Sequence, residues 1–381
     1  MTHSKTSPSP TIDESQSVRQ ESTRFVTGRV TIAFTGGGTA GHVIPAIPVI
    51  SSILDLQHTV VFIGSNSGLE EKLLADLQLR YYGITTGKLR RYFSLKNLVD
   101  AFLIPIGVLQ ALLILLRMKP KALFSKGGYV AFPVVVAAWL LRIPVVAHES
   151  DLSPGLATRL CTPFIKTQCV TFEQTKTEAR KVVVSGTPIR EFLNRGDPQC
   201  ARDWLNITDQ RPVIVVVGGS LGAQSINDIV RDCIASLSER FTVIHVCGKG
   251  NLEVSLQATE GYFQFEFIDQ EWGNVLALAD FVVSRAGANA LFELLYLQKP
   301  NLLIPLPLSV SRGDQIENAE YAEVRGWSLV LPEERLTKET FMNSVDQLVT
   351  NQTRYKSNLT AFSVPDAVEV IVAEIDAVIR A

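Results

Sequence analysis

The chain of 381 residues has no CxxC pair among its five cysteines (Cys161, Cys169, Cys200, Cys233, Cys247) and no HExxH-like spacing among its five histidines. That pattern speaks against the common zinc sites, and an odd, unpaired set of cysteines fits a reducing cytoplasm. No metal and no cofactor is expected. An excess of positive charge is missing too: 36 basic against 38 acidic residues leave a net charge of −2. A general nucleic-acid binder would show a basic surplus. No apolar stretch reaches the roughly 20 residues a helix needs to span a bilayer; the run 101–116 has 16 and contains Pro105. Residues 1–28, rich in Ser, Thr, Pro, Gln and Glu, lack the apolar core of a signal peptide and read as a disordered tail. A transit peptide is the rival, against which Asp13, Glu14 and Glu21 speak.

What the sequence does contain is a strand-then-glycine unit that occurs twice. Val30–Phe34 runs into GGGTAGH (Gly36–His42), and Val213–Val217 runs into GGSLGAQS (Gly218–Ser225). A buried strand that ends in glycines before a helix presents backbone N–H groups and the positive end of the helix dipole, a setting for phosphate. Two such loops suggest paired domains with a ligand between them. The first lacks the GxGxxG register and the acidic strand tip of a nicotinamide site.

Short apolar runs alternate with helix-length segments throughout. Strands are expected at Val30–Phe34, Thr59–Ile63, Ala122–Phe124, Pro144–Ala147, Gln168–Thr171 and Lys181–Val184 in the first half. In the second they are expected at Val213–Val217, Phe241–Val246, Phe263–Phe267, Phe281–Ser284, Asn301–Ile304 and Ser328–Leu331. This is the pattern of an α/β protein with two parallel, Rossmann-like sheets facing a cleft, with ligand expected outside the strand C-termini. We place a first domain at 29–190, a second at 191–364 and a last helix at 365–381 packing back on the first. The boundary falls between Thr187 and Arg211.

His42 closes the first glycine turn and is either a general base or donor to substrate, or a histidine that merely holds the turn. SKGGYVAFP (Ser125–Pro133), with Tyr129, and AHESDLSPG (Ala147–Gly155) sit past strand ends at the same sheet edge. Glu149 is a second base candidate, or one half of a His148–Glu149 tether. Arg190 suits a diphosphate, with an interdomain salt bridge as the alternative. Ser220 adds a hydroxyl to the second loop, while Asn227 reads more readily as its brace than as a ligand. Glu293, early in the helix after SRAGAN, suits ribose hydroxyls or a structural carboxylate. Gln315 and Asn318 suit a sugar's mixed donors and acceptors.

GGGTAGHVIPA, GKLRRYFSLKN, FSKGGYVAFP, HESDLSPGLA, GTPIR, GGSLGAQSIN, SRAGANALFE, PLP and DQIENA occur in the order found in the MurG-type transferases, which the chain resembles from Arg29 to Ala381. That family moves N-acetylglucosamine from UDP-N-acetylglucosamine to lipid I, the undecaprenyl-linked muramyl-pentapeptide, to give lipid II. The resemblance implies the GT-B fold, an inverting reaction and no catalytic metal. It places Thr39, Ala40, Gly41 and His42 beside acceptor and donor phosphate, and Arg190 and Ser220 at the donor diphosphate. Ile268 would read uracil through its backbone, Ala288, Asn289, Ala290, Leu291, Phe292 and Glu293 would hold diphosphate and ribose, and Gln315 the sugar. The chain departs from the family at Ala40, often Gly, at Ser150-Asp151, often Gln-Asn, and in its tail. A UDP-sugar epimerase of the same fold and a membrane-docking nucleotide-binding scaffold are the alternatives.

Arg80–Lys121 carries eight basic residues (Arg80, Lys88, Arg90, Arg91, Lys96, Arg117, Lys119, Lys121) and one acid, Asp100, around the apolar run. Pro105 is expected to disrupt a helix there. A buried helix and a membrane span are weighed against a helix lying on an anionic lipid surface at the cytoplasmic face, which agrees with the family's peripheral behaviour.

Overall fold

Runs such as Val213–Val217 (VIVVV) present apolar side chains to both faces, so they are stable only where helices cover a sheet on either side. The computed structural model describes residues 28–66, 68–87, 95–219 and 222–381. Thirteen strands among them form two all-parallel sheets. The first holds β1 (Thr31–Thr35), β2 (Thr59–Ser65), β3 (Arg80–Ile84), β4 (Ala122–Ser125), β5 (Val145–Glu149), β6 (Thr167–Val170) and β7 (Val182–Val184), in the order β3-β2-β1-β4-β5-β6-β7. The second holds β8 (Val213–Val217), β9 (Thr242–Val246), β10 (Tyr262–Phe265), β11 (Phe281–Ser284), β12 (Asn301–Leu303) and β13 (Leu329–Val330), in the order β10-β9-β8-β11-β12-β13. In each sheet the order reverses beside the first strand, between β1 and β4 and between β8 and β11. Both glycine loops leave the sheets at these switch points, where open α/β sheets form their binding crevices.

Eleven residues before the apolar helix, β3 has a side-chain pattern that is mostly exposed or half-buried. It is an edge strand, and its RYYGI sequence lacks the continuous apolar run by which the other strands are read. The last helix, Ala367–Arg380, begins at Asp366, whose carboxylate accepts from the N–H groups of Val368 and Glu369. Its Ile371, Val372, Ile375 and Val378 enter the first sheet's core with Ile50, Ile53 and Phe124.

The segment Leu95–Met118 is a single helix of 24 residues that runs through Pro105, so the expected disruption does not occur. Ala111 and Leu115 face the core, while Ile106, Leu109, Leu113 and Leu116 are exposed. Among the described residues no helix is long and apolar enough to cross a membrane.

Candidate active site

The first glycine loop is held shut by its own protein. Glu70, fully buried, accepts from the Gly38 N–H at 2.8 Å and from the Ser65 hydroxyl at 3.1 Å, and the Gly37 N–H donates to the Gly127 carbonyl at 3.2 Å. The expectation of bare N–H groups therefore fails at Gly37 and Gly38, whose donors are already satisfied. What the loop positions instead is His42. A Cβ at Gly36 would lie 2.6 Å from the His42 carbonyl, and one at Gly128 would lie 2.0 Å from the Gly37 carbonyl, so only glycines permit this closeness. The His42 Nδ1 is 2.9 Å from the Thr39 hydroxyl. Burial, with the Lys126 and Arg312 cations nearby, pushes the His42 pKa down to about 4, so the imidazole is neutral at pH 7. When Nδ1–H donates to Thr39, Nε2 keeps its lone pair and is able to take a proton.

The second loop is more open. Gly219 is open on its Cβ side, and the helix Gln224–Asp232 begins just beyond with no side-chain cap on its N-terminus. A second uncapped N-terminus, that of Ala288–Tyr296, starts at Gly287. Gly219, Gln224, Ser225, Gly287 and Ala290 line one cavity of about 850 Å³ that also touches Ala40, Gly41 and Ile44 of the first domain. Two positive helix ends converging on one space favour a negatively charged ligand. Arg190, Arg285, Glu293, Ile268 and Gln315 complete the lining used below. Arg285 donates to the Ile304 carbonyl at 3.0 Å and to the Ser225 hydroxyl at 3.1 Å and pairs with Glu333, which fixes its charge at the cavity wall.

Arg190 and Glu293 form an ion pair, with Arg190 Nη2 3.7 Å from Glu293 Oε1 and both side chains about four-fifths buried. Burial pushes the Glu293 carboxyl upward, against the pull of the Arg190 cation. Gln315 accepts from the Leu306 N–H at 3.1 Å, which turns its amide nitrogen away from that strand end. The domains also touch through side chains whose importance sequence spacing did not reveal. Arg312 pairs with Asp151 and, through Nε at 3.1 Å, with Asp314. Loss of hydration in this half-buried spot, and then the nearby Glu149 carboxylate, raise the Asp151 pKa to about 6 against the pull of the Arg312 cation. The Lys126 ammonium, buried and with its pKa lowered by burial to about 8, donates to the Ser150 hydroxyl at 2.7 Å.

Several expected ligands lie elsewhere. Asn227 is fully buried, donating to the Cys247 carbonyl at 2.9 Å with its oxygen 3.0 Å from His245 Nε2, so it is the brace and not a substrate contact. Leu291 and Phe292 are core residues, Phe292 packing against Phe172 and Phe362, and their side chains do not reach the cavity. Ala288, also buried, contributes its place at the helix start. Asn318 is consumed by Asp151, Leu152 and Ala286 and is not free for a sugar. The Glu149 side chain is buried and accepts from the Asp151 N–H at 3.1 Å, away from the large cavity. Tyr129 packs on Gly38 and lines a separate pocket of about 40 Å³ with Gly87, Ile104 and Phe132. Asn289 lines the large cavity, yet its amide reaches across to the first domain. Ser220 lies outside the described residues. Among the described residues no group of three or more His, Cys, Asp or Glu side chains is arranged to hold a metal.

Two Rossmann-like domains that face one cleft define the GT-B fold. Residues 32–170 match the glycosyltransferase family 28 N-terminal domain and residues 213–371 its C-terminal domain. The UDP-N-acetylglucosamine--N-acetylmuramyl-(pentapeptide) pyrophosphoryl-undecaprenol N-acetylglucosamine transferase of Legionella pneumophila (strain Paris) is 46% identical over 345 residues, 90% of this chain and 95% of its own. The crystal structure of MurG from Acinetobacter baumannii shares the fold, with a TM-score of 0.73 at 24% identity over 92% of this chain and 100% of its own. A UDP-GlcNAc 2-epimerase from Neisseria meningitidis also shares it, with a TM-score of 0.62 at 16% identity over 91% of this chain and 98% of its own. The chain belongs to the MurG-type N-acetylglucosaminyltransferases of glycosyltransferase family 28.

Proposed function

We propose that this protein transfers N-acetylglucosamine from UDP-N-acetylglucosamine to the 4-hydroxyl of the lipid-linked muramyl-pentapeptide, with inversion and without a metal. The observation that carries the reading is the single cavity where two uncapped helix N-termini and Arg190 meet the His42-bearing turn of the opposite domain. The muramyl oxygen attacks the anomeric carbon as the bond to UDP breaks. Negative charge that grows on the leaving diphosphate is met by Arg190, the loop N–H groups and both helix ends, so its stabilisation asks for no cation from solution. His42 takes the hydroxyl proton through Nε2. Its depressed pKa guarantees the neutral form, and the anionic diphosphate of a bound acceptor draws that value back toward the working pH.

Donor recognition belongs to the second domain in this reading. Glu293 accepts from the ribose hydroxyls, Ile268 reads uracil through its backbone and Gln315 holds the sugar. We place the boundary between the two halves at residues 190–191. The first domain takes the acceptor at the membrane surface. Support comes from the exposed Leu109, Leu113 and Leu116 on one helix, with exposed Arg117, Lys119 and Lys121 just beyond. Lys88, Arg90 and Arg91 lie outside the described residues. Such a mixture of apolar and cationic surface suits peripheral docking on anionic lipid at the cytoplasmic face.

The experiment is to supply purified protein with lipid I and UDP-N-acetylglucosamine in the presence of a chelator and to follow lipid II. Formation of lipid II without added metal is expected. Absence of product from folded protein, with release of UDP or a 2-epimer of the sugar nucleotide from donor alone, would favour the epimerase alternative.

A further inference from the structure

A run of hydrogen bonds links the two domains across the cleft. The Lys126 Nζ at the end of β4 donates to Ser150 Oγ at 2.7 Å. Ser150 Oγ, past the end of β5, donates to Asn289 Oδ1 at 2.8 Å, and Asn289 Nδ2 donates to the Gly41 carbonyl at 3.0 Å. Its direction is fixed from one end. An ammonium has only donors, so Ser150 must accept from Lys126 and is left with its own proton to give to Asn289. That assigns the Asn289 oxygen and turns its NH₂ toward Gly41, whose carbonyl immediately precedes His42. A Cβ at Gly41 would stand 3.3 Å from Asn289 Nδ2, so the closeness of this approach depends on the glycine.

We propose that Lys126, Ser150 and Asn289 act as a relay of positioning residues for sugar transfer. Seating of the second domain, through the helix that carries both Asn289 and Glu293, sets the glycine turn of the first domain and with it the direction of the His42 ring. The inference rests on His42 as the base. The work of the relay is to register two half-sites that belong to separate domains. Lys126 adds a second effect. The charged groups that bear on His42 are Lys126, just past β4, and Arg312 from the loop before the helix Asp314–Val324, and both disfavour its protonation. The buried Lys126 is itself held charged by the nearby Glu149 and Asp151 carboxylates.

Steady-state turnover, UDP affinity and pH profiles of the full chain with lipid I test the relay. Ser150→Ala and Asn289→Leu should each lower kcat about tenfold, the worth of one net hydrogen bond, while UDP affinity changes by less than about twofold. Ser150→Ala/Asn289→Leu together should cost little more than either alone, because one break opens the whole run. Lys126→Met should lower kcat and move the acid limb of kcat/KM to higher pH, since removal of a cation makes His42 easier to protonate. Lys126→Arg keeps the charge and should keep that limb in place. Unchanged melting temperatures certify the fold of each variant. Weaker UDP binding with kcat preserved would make Asn289 a donor ligand and overturn the relay, as would multiplicative losses in the double variant. Failure of the base assignment looks different: His42→Ala then keeps its turnover while Ser150→Ala and Asn289→Leu still lose theirs.

Discussion

Removing the Glu293 carboxylate should weaken uridine more than it weakens UDP. In the free protein Glu293 Oε1 lies 3.7 Å from Arg190 Nη2, and the side chains keep 19% and 22% of their exposure. A hydrogen bond to a charged acceptor contributes about 1.5–3 kcal/mol. Two ribose hydroxyls on one buried carboxylate therefore contribute about 3 kcal/mol or more, on the order of 100-fold in Kd. Glu293→Ala forfeits this for any ligand with a ribose. The same change frees Arg190, whose guanidinium is then wholly available to a diphosphate. A ligand without phosphate gains nothing from that release, whereas UDP recovers one charge-assisted contact. UDP should thus weaken by about 10- to 30-fold against about 100-fold for uridine. Glu293→Gln keeps one acceptor oxygen and should fall between wild type and Glu293→Ala. Isothermal titration with UDP, and competition against it by uridine, measure the difference. Equal weakening of both ligands would refute the release of Arg190. No weakening of either would make Glu293 a structural carboxylate.

Three further outcomes follow from the same geometry. His42→Ala should reduce kcat by about 10²–10⁴-fold with little change in UDP affinity, and a single-turnover assay that found near-normal chemistry would remove His42 from the base role. Asp151→Asn should stabilise the protein at pH 8 by up to about 3 kcal/mol and have no such effect near pH 4; the sign follows because a carboxyl raised from 3.8 to about 6 lends its stability only at low pH and loses it as pH rises through 6. Denaturant melts at the two pH values check this, and a gain confined to acid would invert the reading. Leu109→Ser/Leu113→Ser should lower flotation with anionic vesicles both at low and at high salt, whereas salt alone should weaken wild-type binding without abolishing it; retention that only detergent reverses would mean an embedded helix.

Strands and turns were legible in the sequence because their causes are local. Val213–Val217 is apolar on every residue, so a short window suffices to see a strand buried on both faces, and Gly218 marks where it must end. β3 escaped because an edge strand is paired on one side only and its two faces, with Tyr81 and Tyr82, are only partly covered, and Arg80-Tyr81-Tyr82 looks like the polar rim of the helix that follows. The site divides along the same line. Arg190, Glu293 and Gln315 lie on the segments that follow the ends of β7, β11 and β12, and the topology carries such segments to the crevice. Glu70 gave no such signal: it acts on Gly38 from 32 positions away and looks locally like any helix-start carboxylate. Lys126, Ser150 and Asn289 are harder still, since Ser150 and Asn289 stand 139 residues apart in different domains. Their roles are defined by one another. A serine beside an ammonium is directional, an asparagine beside that serine is oriented, and none of the three is informative until the others are in place. Motif reading therefore finds the groups that line the cavity, and places Lys126, Ser150 and Asn289 in its motifs without showing that they bond to one another across the domains. In a two-domain enzyme such bonds decide whether the reacting atoms are ever brought within reach.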